Sequence, residues 1–269
     1  MTDMRTVIFD VDGTLAGDKQ PPNAVALAWM RRHLTGQPAN QPSGQPIGQP
    51  ANRPANQPAG QQLRMALASG KPLAYLAGFA RAAGLFDLIL IGENGAEVQT
   101  DAGFPPAQHF YQTLLPRQRN KLDALRHDLE HGLHAEFWSQ PSQRMVSVFF
   151  RDAANGALVK AFLDDHLQTD DDLVVYEHID CYEVCPCGIT KGTALDLLAA
   201  HLGLGLDRMI AVGDSQNDAP MFAQAGTSIG ITGSGDITFD CSVDYRVQTI
   251  EEAIALLDKL LGKLAAEGS

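Results

Sequence analysis

Cysteine is scarce, with four in 269 residues. That excludes a disulfide framework as the source of stability and leads us to expect a reduced, cytoplasmic protein. No apolar run approaches the roughly 18 to 20 residues that a membrane-spanning helix needs. The first residues enter the strand-like run Thr6–Phe9 with no basic and apolar leader before it, so no secretory signal is expected. Positive charge is short as well: 20 Lys and Arg stand against 32 Asp and Glu, a net charge of −12. So acidic a chain argues against nucleic acid or an anionic membrane as partner. A small anionic substrate stays open, because a metal ion or a helix terminus can override the global sign locally. What the chain does have is apolar content, 45% of its residues, enough for a sizeable core.

One segment has little to bury. From Gly36 to Gly60 proline recurs at every fourth position (Pro38, Pro42, Pro46, Pro50, Pro54, Pro58), mostly after Gln, and each proline removes a backbone donor. A polyproline ligand for a partner domain is one reading. A tandem expansion tolerated in a disordered surface loop at 36–60 is the preferred one, since loop closure costs entropy only slowly with length.

Outside it, short apolar runs alternate with helical periodicity. Thr6–Asp12, Arg64–Gly70, Leu88–Gly92, Arg208–Asp214 and Thr227–Thr232 suit strands buried on both faces of a parallel sheet. Asn23–Leu34, Thr193–Leu202 and a last helix opened by the Thr249/Glu252 capping box carry amphipathic stripes between them. This predicts a doubly wound, Rossmann-like α/β core over residues 1–103 and 187–269. The middle third changes pattern to helix–strand–strand, given twice: Arg117–His131 with His134–Ser139 and Arg144–Arg151, then Asn155–Leu167 with Leu173–Tyr176 and Ile179–Cys185. It is expected to be an inserted α+β cap at 104–186, bounded near Gly103–Pro106 and Cys185–Gly188.

The sharpest chemical signal is Phe9-Asp10-Val11-Asp12-Gly13-Thr14. It places two acids at the carboxyl end of a strand, where open α/β sheets keep their ligand crevice. Such acids repel one another unless a cation sits between them. The spacing also suits one acid as nucleophile and the next as proton donor. A calcium loop begun at Asp10 fails, because its twelfth position is Pro21. A second acidic cluster, Gly213-Asp214-Ser215-Gln216-Asn217-Asp218, ends another strand. Hard carboxylate oxygens from two strand ends suit Mg²⁺. Ser69-Gly70-Lys71 ends the second strand with a hydroxyl and backbone N–H groups fit for a phosphate oxygen. Lys191 opens a helix, where a cation opposes the macrodipole unless an anion such as phosphate binds it. Cys181, Cys185 and Cys187 are spaced by four and two without a nearby fourth ligand, which is no structural zinc pattern, and we read Cys181 and Cys185 as packing on one strand face with Ile179.

Taken in order, Asp10-x-Asp12-Gly13-Thr14, Ser69, Lys191 and Gly213-Asp214-x-x-Asn217-Asp218 resemble the motifs of the haloacid dehalogenase superfamily of phosphotransferases. The cap between Ser69 and Lys191, and Gly92-Glu-Asn-Gly-Ala96 before it, resemble the type-IIB subfamily of Cof-like, sugar-phosphate and phosphoglycolate phosphatases. The resemblance implies that Asp10 attacks phosphorus to form an aspartyl-phosphate. Asp12 would protonate the leaving oxygen and then activate water. Ser69, Gly70, Asn217 and Lys191 would hold the phosphoryl oxygens. Mg²⁺ would be held by Asp10, the Asp12 carbonyl and Asp214, with Asp218 on its waters. Relatives commonly carry Thr-Gly-Arg where this chain has Ser69-Gly70-Lys71, so a bidentate guanidinium is replaced by a point charge. The expected activity is hydrolysis of a small phosphorylated metabolite, a sugar phosphate or phosphoglycolate. A phosphomutase shares the two aspartates, and a non-catalytic protein working through the repeat is the reading from another class. Trp138, Arg144, His178 and Tyr182 are the cap candidates for substrate selection, and no pattern specifies an oligomeric state.

Overall fold

The computed structural model describes residues 5–17, 20–35, 63–103, 105–167, 171–233, 239 and 241–267; the expected repeat loop at 36–60 lies outside them. Along the chain run β1 (Arg5–Asp10), α1 (Ala24–Thr35), β2 (Leu63–Ala68), α2 (Leu73–Ala82), β3 (Ile89–Gly92), β4 (Glu97–Gln99) and β5 (His109–Tyr111). Next come α3 (Pro116–Gly132), β6 (Phe137–Ser139), β7 (Val146–Phe150), α4 (Ala153–Leu167), β8 (Leu173–Glu177) and β9 (Cys181–Pro186). The chain closes with α5 (Lys191–Leu202), β10 (Met209–Gly213), α6 (Ala219–Gln224), β11 (Thr227–Ile231), β12 (Tyr245–Val247) and α7 (Ile250–Glu267).

The larger sheet has eight strands in the order β12-β11-β10-β1-β2-β3-β4-β5. All its pairings are parallel except those of β4 and β5. Strand alternation explains why the runs read as wholly apolar. Val7 and Phe9 pack with Trp29, Leu76 and Leu257 on one face, while Ile8 packs with Leu195, Leu198 and Phe222 on the other. The order reverses between β1 and β10, and a crevice opens at the carboxyl ends of strands at such a switch point. Leu67, on β2 beside β1, is fully buried. Leu67→Ala is expected to cost about 2–5 kcal/mol of stability, read from the shift in denaturant midpoint at unchanged slope.

The smaller sheet is antiparallel, ordered β6-β7-β9-β8. Leu122, Leu125 and Leu129 of α3 and Val159 and Leu163 of α4 bury against Val146, Val148, Tyr182 and Val184 on one of its faces. The expected boundary at 103/104 is corrected. The Gly103–Pro106 stretch lies within the β4–β5 connection, and β5 extends the larger sheet antiparallel to β4. The polar, three-residue strands β4 and β5 carry too short a pattern to be read beforehand.

Candidate active site

Asp10 ends β1, Asp214 follows β10, and Asp218 sits one turn later in a short helical segment. The switch point brings these acids together: one oxygen from each of Asp10, Asp214 and Asp218 lies within 4.8 Å of the others. Two local features make the approach feasible. Gly13 has φ of +84°, and a Cβ there would stand 2.1 Å from Asp214 Oδ2. Thr14 Oγ1 donates to Asp214 Oδ1 at 2.6 Å. Asp218 Oδ2 accepts the backbone N–H groups of Asp214 and Ser215, both at 3.0 Å, so its loop folds around the carboxylate.

Lys191 supplies a cation to two of these acids. Its Nζ donates to Asp10 Oδ1 at 2.5 Å and to Asp218 Oδ1 at 2.6 Å, with the side chain 1% exposed. Thr190 caps α5 by accepting the Thr193 amide, which fixes Lys191 as the first helical residue. The unfavourable macrodipole at this position is therefore offset by two carboxylates of the protein. Burial alone would push the Lys191 ammonium down, but Asp10 and Asp218 more than reverse it and hold it charged. Three acids still share one ammonium. Burial first, and then the Asp218 charge, push Asp214 up to about 7, and burial also pushes Asp10 well up. A dense, hard-oxygen site with surplus negative charge is what a Mg²⁺ ion fits, and these residues fit it.

Asp12 is placed differently. Its carboxylate is not among the converging three; it pairs with Lys71 Nζ at 3.2 Å and is 45% exposed. Lys71 also lies 5.3 Å over the Phe149 ring of β7, so it bridges the two sheets. Burial pulls Lys71 down, but Asp12 outweighs it and the net shift is up. Ser69 is buried at the end of β2, where its Oγ accepts the Lys71 amide at 3.2 Å. Asn217 has both ends of its amide engaged, donating to Asn94 Oδ1 at 3.2 Å and accepting from Ser215 Oγ.

Sequence reasoning gave no separate role to the Glu93-Asn94 turn. Both residues hold positive φ, 51° and 53°, a sparsely populated conformation for side-chain-bearing residues. Glu93 accepts the backbone amides of Gln143 (3.0 Å) and Arg144 (2.6 Å) from the loop before β7. Asn94 Nδ2 donates to Glu183 Oε2 of β9 at 2.6 Å. One turn after β3 thus holds two adjacent strands of the smaller sheet, β7 through the loop before it and β9 through Glu183. Glu183 itself was missed; an acid inside the strand Cys-Tyr-Glu-Val-Cys was the available signal. Its carboxylate abuts Gly70, where a Cβ would meet Oε1 at 2.1 Å. Although burial raises it, His178, Asn94 and Lys191 outweigh that and hold Glu183 below the usual range.

The register orients the cap candidates. Phe149, Cys181 and Glu183 share the face turned toward Gly70 and Lys71, and Trp138, paired with Phe149, shares it. Tyr182 points the other way, into the α3/α4 cluster, because neighbours in a strand alternate. Arg144 pairs with Glu97 at 3.3 Å and lies over Tyr111. Ile179 does not share the cysteines' face: it is 85% exposed in the turn between β8 and β9.

Residues 131–236 match the family model described as haloacid dehalogenase-like hydrolase. A phosphoglycolate phosphatase of Nitrosopumilus maritimus is 25% identical over 173 residues, which is 64% of this chain and 70% of that protein. An HMP-PP phosphatase of Serratia proteamaculans is 46% identical over 50 residues, only 19% of this chain and 18% of the relative. Among solved structures, a haloacid dehalogenase-like hydrolase from Bacteroides thetaiotaomicron superposes with a TM-score of 0.66 at 17% identity, covering 94% of this chain and 99% of that one. A HAD subclass IIB sugar phosphatase does so with a TM-score of 0.65 at 16% identity, covering 96% and 99%. These structural likenesses concern the fold. With the acidic crevice at the β1/β10 switch point, the chain has the fold of these hydrolases, and its residues 131–236, across β9, α5 and β10, are similar to the haloacid dehalogenase-like hydrolase family.

Proposed function

We propose that the chain is a Mg²⁺-dependent phosphatase that hydrolyses a small phosphorylated metabolite, a sugar phosphate or phosphoglycolate, through an aspartyl-phosphate on Asp10. The observation that carries this reading is the buried Lys191 ammonium held between Asp10 and Asp218, with Asp214 beside them. Phosphoryl transfer asks mainly for positioning and for neutral surroundings to the phosphoryl oxygens, and this cluster supplies both. An Asp10 oxygen attacks phosphorus while the bond to the leaving oxygen breaks. Asp12, more exposed than Asp10 and two residues on, gives that oxygen its proton and then takes one from the water that hydrolyses the acyl phosphate. For this the Asp12–Lys71 pair must loosen as the phosphate enters. Ser69 Oγ, the Gly70 amide, Asn217 and Lys191 hold the phosphoryl oxygens. Asp10, the Asp12 carbonyl, Asp214 and Asp218 would hold Mg²⁺, which supplies charge neutralisation for the phosphoryl oxygens.

The relatives named as phosphoglycolate and HMP-PP phosphatases support small phosphorylated molecules as the substrate class. The test is phosphate release from a panel of phosphorylated metabolites, with no bisphosphate activator, before and after EDTA. Turnover that vanishes with EDTA and returns with Mg²⁺, but poorly with the looser coordination of Ca²⁺, is the expected result. Full turnover in metal-free buffer contradicts the reading, and dependence on a bisphosphate activator turns it into a mutase.

A further inference from the structure

The face of the smaller sheet turned toward Gly70 carries a second donor cluster, distinct from Asp10, Asp214 and Asp218. The connection from β8 to β9 turns tightly through Ile179 and Asp180, with the His178 amide donating to the Cys181 carbonyl at 2.9 Å. His178 thereby stands opposite Cys181, and Glu183 follows two residues on, on the same face of β9. The spacing His-x-x-Cys repeats the two-residue interval by which a tight turn presents paired ligands in small zinc sites. A donor atom of each of His178, Cys181 and Glu183 lies within 4.8 Å of the others, and His178 Nε2 is 3.4 Å from Glu183 Oε2.

Two buried polar atoms at this cluster have no hydrogen bond among the described residues. One is His178 Nε2, which the Glu183 oxygen approaches without reaching hydrogen-bond geometry. The other is the Oγ of Ser147, fully buried and opposite Glu183 in the ladder. Buried polar groups left unpaired are costly, and a ligand at that spot removes the cost. Glu183 is already oriented from outside the cluster by Asn94 Nδ2 at 2.6 Å, as second-layer partners orient metal-binding carboxylates.

We propose that His178, Cys181 and Glu183 bind a divalent ion of the zinc class, with a fourth position left for water or for a substrate atom. The mixed nitrogen, sulfur and oxygen set excludes Mg²⁺ and Ca²⁺, which take oxygen ligands, and suits a borderline metal. The thiol of Cys181 gives its proton to solvent as the sulfur–metal bond forms. With Glu183 against Gly70, the ion lies at the junction of the two sheets, and its binding does not depend on the phosphatase reading.

The full chain, stripped by chelator and saturated with Mg²⁺ to fill the carboxylate site, is titrated with Co²⁺. We expect a near-ultraviolet sulfur-to-cobalt charge-transfer band that saturates at one ion per chain and is bleached by Zn²⁺. The band disappears in Cys181→Ser, and Co²⁺ affinity falls at least tenfold in His178→Ala, each checked for native circular dichroism. Asp10→Asn leaves band and affinity unchanged, whatever happens to turnover. Absence of the band in the unmutated chain, its survival in Cys181→Ser, or an unaltered affinity in His178→Ala overturns the site and leaves a His178–Glu183 ion pair beside a packed thiol.

Discussion

Asp10→Asn is expected to lower kcat by roughly a thousandfold or more while leaving the fold intact. The amide occupies the same volume at the end of β1 and can still accept from Lys191 Nζ. What it loses is charge, and with it both nucleophilicity and a hard ligand. Its effect on stability should be small and of the opposite sign. Asp10, Asp214 and Asp218 crowd one ammonium, so removing one negative charge relieves repulsion, and Tm should stay level or rise. Phosphate release and a thermal melt on the same preparation check both halves. Retention of a tenth of the turnover with a native melt contradicts the role given to Asp10.

Lys191→Met should damage both properties at once. The side chain is fully buried, and its ammonium is the shared partner of two buried carboxylates. Methionine fills much of the same space but leaves Asp10 and Asp218 without their cation. Breaking a buried ion pair from one side costs about 3–5 kcal/mol, much of it the penalty of the charges left behind. Turnover should fall below detection, because the phosphoryl oxygens lose a positive neighbour. The stability loss is separable from the chemistry. Adding Asp218→Asn to Lys191→Met should restore part of the denaturant midpoint, since one stranded charge is gone, without restoring phosphate release. A Lys191→Met protein as stable as its parent contradicts the electrostatic description of the cluster.

Much of this was legible before the fold was known, for physical reasons that differ by residue. Thr6–Asp12 and Arg208–Asp214 read as strands because both faces of β1 and β10 are covered, which leaves unbroken apolar runs. Asp10 and Asp214 stood out as acids closing such runs, where no packing reason requires them. The pairing of Lys191 with Asp10, 181 positions apart, could not be read from local pattern; it exists because β1, β10 and the start of α5 meet at one switch point. The local pattern carried only the repulsion between Asp10 and Asp12 and the poor fit of Lys191 to its own helix terminus.

The cap was harder to orient. Tyr182 and Glu183 are neighbours, and only the burial of Tyr182 against α3 and α4 decides that Glu183 faces Gly70. The strain at Glu93 and Asn94 is likewise invisible locally. Positive φ at two adjacent residues that carry side chains is imposed by the contacts they make to Gln143, Arg144 and Glu183. Short strands escaped for a third reason: β4, β5 and β12 are three residues each, too brief to display a period.

The proposed function rests on passage of the phosphoryl group through Asp10. Acid quenching during turnover of a radiolabelled substrate, followed by peptide mapping, tests it directly. The expected result is label on the peptide that carries Asp10, lost when the enzyme is left to turn over before quenching and absent in Asp10→Asn. Turnover with no label on Asp10 at any quench time, or label on another residue, would contradict it.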